Sequence, residues 1–217
     1  MFGRTGLNPS IMSTSDVLVH LAKDPLLAPH LDEQHWTHTP GSTDVYERLL
    51  RAICGQQLSV KAASTIWGRV QAHFGDSVPP PAELLDVETD TLRSLGLSRQ
   101  KASYLHHVAA FFVEHPTDKA HWQTQSDEEV LRALTSIKGV GVWTVEMLLI
   151  FTLHRPDVLP LGDLGVQQGM ALLYDLPETG KELKRRMTEI AEAWRPYRSF
   201  ASRSIWRYKD AAKRKSA

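Results

Sequence analysis

Leu134-Thr135-Ser136-Ile137-Lys138-Gly139-Val140-Gly141-Val142-Trp143-Thr144 is the stretch on which the reading of this chain turns. An amphipathic segment with Val130, Leu134 and Ile137 at helical spacing runs into it. Ser126-Asp127-Glu128-Glu129 supplies a capping box at the start of that segment. Two glycines, one residue apart, turn the chain, and a second apolar helix follows to about Leu153. Glycine suits such a turn because it accepts positive φ and lets another group approach closely. Amides at the turn and at the start of the second helix would point outward together, which makes an anion site fit for a phosphate. Lys138, Gly139, Val140 and Gly141 are the candidates for that grip. The same residues also fit an ordinary pair of helices joined by a glycine turn.

Working outward, the periodicity is helical nearly everywhere. Val45, Leu49 and Ile53 recur at four; Ala102, Leu105, Val108, Ala109 and Phe112 follow the three/four pattern; so do Leu183, Met187, Ile190, Ala191 and Trp194. Asp44 with Glu47 reads as a helix start. Glycines and prolines cut the chain into about ten short helices. The best strand candidate, Asp157 to Leu161, carries Pro160, which counts against it. An all-α, two-lobed fold is expected, with an active-site cleft between the lobes. Residues 44–152 would form one helical bundle ending in the hairpin, and 15–43 with 153–217 the other lobe. Residues 1–14, polar and small, are expected to be a mobile N-terminus.

Of 217 residues, 42% are apolar and 23% charged, which excludes a disordered or low-complexity chain. No apolar run approaches the ~20 residues of a membrane span, and no secretory leader is apparent. One cysteine, Cys54, rules out an internal disulfide framework, a multi-cysteine zinc site and a cysteine-held iron–sulfur cluster. Ten histidines lack metal-ligand spacing. A cytoplasmic protein is the default expectation, associated with the nucleoid if bacterial. Net charge is zero, yet residues 181–217 hold 12 Lys+Arg against 4 Asp+Glu and the remainder is correspondingly acidic. This basic C-terminal segment suits a polyanion partner, and it also suits a solvated helical face.

The hairpin, in combination with three other segments, resembles the helix-hairpin-helix–GPD superfamily of DNA base-excision glycosylases. Some twenty residues beyond Gly141, Leu159-Pro160-Leu161-Gly162-Asp163-Leu164-Gly165-Val166 looks like the segment that supplies the superfamily's catalytic aspartate. Upstream, Arg51-Ala52-Ile53-Cys54-Gly55-Gln56-Gln57-Leu58-Ser59 resembles its DNA-wedge loop. Gly96 to Ala102, Trp194 to Ser199 and Ile205-Trp206 resemble the alkylbase branch, the type II 3-methyladenine glycosylases. The likeness covers about 44–208. Two departures stand out: too few residues precede 44 for the β-rich lobe some members carry, and Gly162-Asp163 stands where some show paired aspartates.

The resemblance implies hydrolysis of the N-glycosidic bond of an alkylated base in duplex DNA, with Asp163 stabilising an oxocarbenium-like sugar. Asp157 is the alternative acid, and a plain helix N-cap is the alternative role for Asp163. Gln57 and Leu58 would fill the hole left by the flipped base. Trp143 and Trp206 would wall the base pocket through cation–π attraction; Trp194, Trp67 and Tyr104 are core by default. Trp143 stands where lyase members carry a nucleophilic lysine, so the implied enzyme is monofunctional. Arg195, Arg198, Arg203, Arg207 and Lys209 could face the DNA backbone, or some of the arginines could instead pair with the acidic remainder of the chain. No cofactor is required, although the likeness brings with it a hairpin Na+ or K+ held by backbone carbonyls of Thr135, Ile137 and Val140. The chain is expected to be monomeric. A non-catalytic DNA-binding module and a same-fold glycosylase for mismatched or oxidised bases are the rival readings.

Overall fold

The computed structural model describes residues 13–33, 36 and 44–215. Among them there are helices and turns and no strand. The helices are α1 (Thr14–Leu21), α2 (Val45–Gly55), α3 (Val60–His73), α4 (Pro81–Asp86), α5 (Thr89–Ser94), α6 (Arg99–Glu114), α7 (Lys119–Thr124), α8 (Asp127–Thr135), α9 (Val142–Phe151), α10 (Leu164–Leu173), α11 (Gly180–Ala191) and α12 (Arg198–Lys215). The all-α expectation holds. The helix count exceeds ten because α4, α5 and α7 are six residues each, too short to show a period. The supposed strand at 157–161 is irregular: the Val158 N–H donates to Ser199 Oγ at 2.9 Å, and that hydroxyl donates to the Arg155 carbonyl.

Local chemistry accounts for the helix starts. Asp44 Oδ1 accepts the Glu47 N–H at 2.8 Å. Ser59, Ser98 and Asp118 cap α3, α6 and α7 in the same way. Ser126 and Glu129 form the reciprocal capping box read from the sequence. Ser13 caps α1, so residues 13 and 14 belong to a helix; residues 1–12 of the segment expected to be mobile lie outside the described residues, as do 34–35 and 37–43 of the second lobe.

The chain divides into two compact units, 41–148 and 1–40 with 149–217. In the first, α6 packs against α2, α4 and α5. Its stripe Ala102, Leu105, Val108 and Ala109 is fully buried, and so are Leu49, Leu50 and Ile53 of α2. Burying each such side chain is worth about 1.5–3 kcal/mol. Cys54 is sealed in this core, and burial pushes its thiol up to about 12, so it is inert at neutral pH. In the second unit α10 lies tightly on α12: a β-carbon on Gly169 would come within 2.5 Å of Ile205 Cγ2 and 2.9 Å of its carbonyl. Trp194 is fully buried, as its helical spacing predicted. Its indole N–H and the Tyr174 hydroxyl both donate to Asp24 Oδ2, at 2.9 and 2.7 Å, while Asp24 Oδ1 accepts the Leu26 and Leu27 N–H groups. A half-buried carboxylate with four donors ties these segments of the unit together. Burial and the Asp24 carboxylate raise the Tyr174 hydroxyl above the ordinary phenol value.

Candidate active site and nucleic-acid interface

Asp163 is the N-cap of α10 and is 8% exposed. Its Oδ1 accepts the Val166 N–H at 2.8 Å, the ordinary capping bond. The same oxygen accepts the Trp206 indole N–H at 2.7 Å. A cap needs the first bond only; the second comes from 43 residues away, on α12. The Trp206 ring stacks on Phe151, 5.7 Å between centroids and 27° apart in plane, so the donor is held on one face. Gly165 makes room: a β-carbon there would sit 2.8 Å from Trp206 Cδ1 and 3.0 Å from Asp163 Oδ1. That glycine was missed in the sequence, where it looks like any helical residue. Leu164 is 65% exposed beside the acid, an apolar side chain left in water.

Asp157, the alternative acid, is bound up. Its carboxylate receives Arg198 Nε at 2.7 Å and Nη2 at 3.0 Å, and Arg195 Nη1 at 2.8 Å. A carboxylate locked between two guanidiniums serves the structure.

The cations of the basic C-terminal segment have partners within the protein, which was one of the two alternatives for them. Arg195 and Arg198 meet Asp157, Arg207 meets Asp32 at 2.7 Å, and Lys209 meets Asp210 at 3.7 Å. Arg203 donates to the Trp36 carbonyl at 3.2 Å and lies 5.6 Å over the Phe151 ring, where burial lowers its pKa from the usual value. Charge counting could not see these partners, because they lie up to 167 residues away in the chain.

The hairpin belongs to the unit 41–148. Gly139 takes φ 100°, open to glycine at little cost. Its close neighbour is the Tyr104 ring: a β-carbon would fall 2.5 and 2.7 Å from Cδ2 and Cδ1. Tyr104, expected in the core, is half-buried and lies flat on the turn. Gly141 is different, with open space where its β-carbon would be. The Val140 side chain is buried and its N–H closes the turn on the Ile137 carbonyl at 3.0 Å. Lys138 is exposed at the tip. Trp143, in the first turn of α9, is 50% exposed, with Val142 beside it at 57%.

In the same unit the 55–60 loop presents Gln57 in the left-handed region at φ 59°, followed by Leu58, 41% exposed, and Val60, 89% exposed. Lys101 Nζ donates to the Cys54 and Gln56 carbonyls at 3.0 and 2.7 Å. Gln56 Nε2 donates to the Gly139 carbonyl at 3.2 Å. No group of three or more His, Cys, Asp or Glu side chains able to hold a metal occurs among the described residues.

Residues 50–196 match the HhH-GPD superfamily of base excision DNA repair proteins. The chain belongs to the HhH-GPD superfamily. It is 37% identical over 165 residues to DNA-3-methyladenine glycosylase 1 of Schizosaccharomyces pombe, covering 75% of this chain and 71% of that one. The fission yeast 3-methyladenine DNA glycosylase solved in complex with abasic DNA superposes with a TM-score of 0.73 at 31% identity, over 88% of this chain and 95% of that chain. A DNA-3-methyladenine glycosidase from Bacillus halodurans superposes with a TM-score of 0.78 at 30% identity, over 94% and 93% of the two chains. The HhH-GPD match spans the wedge-like loop, the hairpin and Asp163, the segments on which the sequence reading rested.

Proposed function

We propose that this HhH-GPD protein is a monofunctional DNA glycosylase of the 3-methyladenine type II class, which frees alkylated bases from duplex DNA in base excision repair. The observation that carries the reading is the buried Asp163 carboxylate, aimed by the Val166 amide and the Trp206 indole through one oxygen. The names of the relatives at 30–37% identity support the substrate class.

An alkylated purine such as 3-methyladenine is cationic and leaves readily, so strong general-acid help is not required. The difficulty lies in the positive charge that develops on the sugar as the C1′–N bond breaks. A fixed carboxylate offsets that charge without reorganising, and accepts a proton from the incoming water as the new C1′–O bond forms. Two donors on Oδ1 limit the rotation of the Asp163 carboxyl and fix its direction. An indole face such as that of Trp206, beside Asp163, suits a cationic base, a contact worth about 0.5–2 kcal/mol. Lys138 and the amides around Gly139 and Gly141 would grip a phosphate, positioning the strand without reading sequence. A monovalent cation on the carbonyls of Thr135, Ile137 and Val140 would brace the turn; Ile137 keeps one lone pair after accepting the Val140 N–H. It takes no part in bond cleavage.

The direct test is base release from duplexes carrying 3-methyladenine, 7-methylguanine, 1-methyladenine, ethenoadenine or hypoxanthine. Release of at least one alkylated base is expected; DNA binding without any release would leave a non-catalytic binding module. Trp143 offers no amine for a Schiff base, so borohydride should trap no protein–DNA adduct. A trapped adduct would overturn the monofunctional assignment. Leu58→Ala removes the apolar wedge, and excision from a paired lesion should fall by roughly tenfold while an unpaired lesion is spared, since flipping costs a few kcal/mol only where a stack must be broken. Equal losses on both substrates would remove the wedge role.

A further inference from the structure

Lys101 and Tyr104 lie one turn apart on one face of α6, and each touches a different candidate DNA-contacting loop. The Lys101 ammonium clips the wedge loop through the Cys54 and Gln56 carbonyls, on either side of Gly55. The Tyr104 ring lies flat against Gly139 of the hairpin. The Gln56 side-chain amide closes the ring of contacts by donating to the Gly139 carbonyl. Gln56 is the C-cap of α2 and Lys101 bonds carbonyls at that helix end, so the contacts that finish α2 also reach the hairpin. The loop they restrain contains a strained residue, Gln57 at φ 59°, immediately before the exposed Leu58. A non-glycine residue stays in that region only when its surroundings hold it there. The Leu58 N–H to Gly55 carbonyl bond, 3.1 Å, and the Lys101 clip are the restraints present.

We propose that Lys101, Tyr104 and Gln56 are positioning residues that lock the wedge loop and the phosphate-gripping hairpin into one register, so that a strand held by the hairpin presents its lesion to Leu58. The inference rests on the wedge and hairpin roles proposed above, and not on Asp163. Lys101 acts through the loop and touches no base. Its ammonium pays for partial loss of water with two carbonyl bonds, which makes the clip sensitive to any side chain that cannot donate. Tyr104 fixes the hairpin by shape, because its ring occupies the volume a β-carbon on residue 139 would need.

The test uses a duplex with a tetrahydrofuran abasic site faced by 2-aminopurine, whose fluorescence rises when a wedge displaces it from the stack. The protein should raise the signal, and Lys101→Met should weaken binding to this duplex by roughly tenfold, the scale of one charge-assisted hydrogen bond. Affinity for an undamaged duplex should stay within about twofold, since the hairpin phosphate grip remains. In a double-mutant cycle, Lys101→Met should add little in a Leu58→Ala background, because it works through that side chain. A merely structural lysine would give additive losses and a parallel fall on undamaged DNA, and either result would overturn the proposal. An unchanged Lys101→Met protein, or a parent protein that leaves the fluorescence flat, would do the same. If Lys101→Met fails to fold, Gln56→Ala is judged by the same criteria. A protein that inserts its wedge yet frees no alkylated base would end the glycosylase reading and leave this one standing.

Discussion

Asp163→Asn is expected to lower single-turnover base release by at least a hundredfold while lesion-DNA affinity and melting midpoint hardly change. The substitution isolates charge. Asparagine is as good an N-cap as aspartate, so its Oδ1 can still accept the Val166 N–H. The Trp206 indole can donate to an amide oxygen as it does to a carboxylate. What disappears is the negative charge facing the sugar, and removing one preorganised electrostatic stabiliser typically costs about 3 kcal/mol of barrier. Asp157→Asn is the matched control: it removes the charge that Arg198 and Arg195 share, while Arg195 keeps Glu192, so stability should fall and the excision rate per folded molecule should not. Excision by the Asp163 variant within threefold of the parent would reduce that residue to a cap.

Gly139→Ala should be severe where Gly141→Ala is mild for stability. At Gly139 an alanine meets two costs at once. The left-handed φ of 100° carries a penalty of about 1–2 kcal/mol for a residue with a β-carbon. The added carbon also collides with the Tyr104 ring, and overpacking of this kind costs a further 1–3 kcal/mol or so. The turn would have to open, so thermal stability and DNA affinity should fall together. Gly141 has room for the carbon. Gly141→Ala should therefore fold normally and lose affinity for any duplex, because the methyl occupies the space through which a phosphate would approach the α9 amides. Calorimetry and a salt-matched binding titration on both variants separate these outcomes. A Gly139→Ala protein of parental stability would show that the Tyr104 contact is easily relaxed.

Several features were legible because they depend on neighbours in the chain. The stripe Ala102–Leu105–Val108–Ala109 and the Ser126/Glu129 box follow from the helical period and from orphaned amides at a helix start. Asp163 is named through the family resemblance of 159–166, since its place before a helix by itself favours a plain cap. Charge in the last 37 residues left two alternatives for five cations, DNA or the acidic remainder of the chain, and only the folded structure shows the partners they have within the protein.

By itself, then, the order of residues determined the all-helical class, most helix starts, the glycine hairpin and the acid to be weighed. The helical class and the helix starts arise from interactions over three or four positions, which can be counted, whereas the acid came from the family resemblance of its segment. Only the tertiary structure decided that Asp157 is taken by arginines, that Trp206 reaches Asp163 over 43 positions, that Gly165 clears its path, and that Lys101 and Tyr104 hold two loops from one helical face. Contacts at that separation have no period. They exist because packing the apolar stripes brings particular polar groups within about 3 Å of one another, where loss of water favours the bonds they can make together.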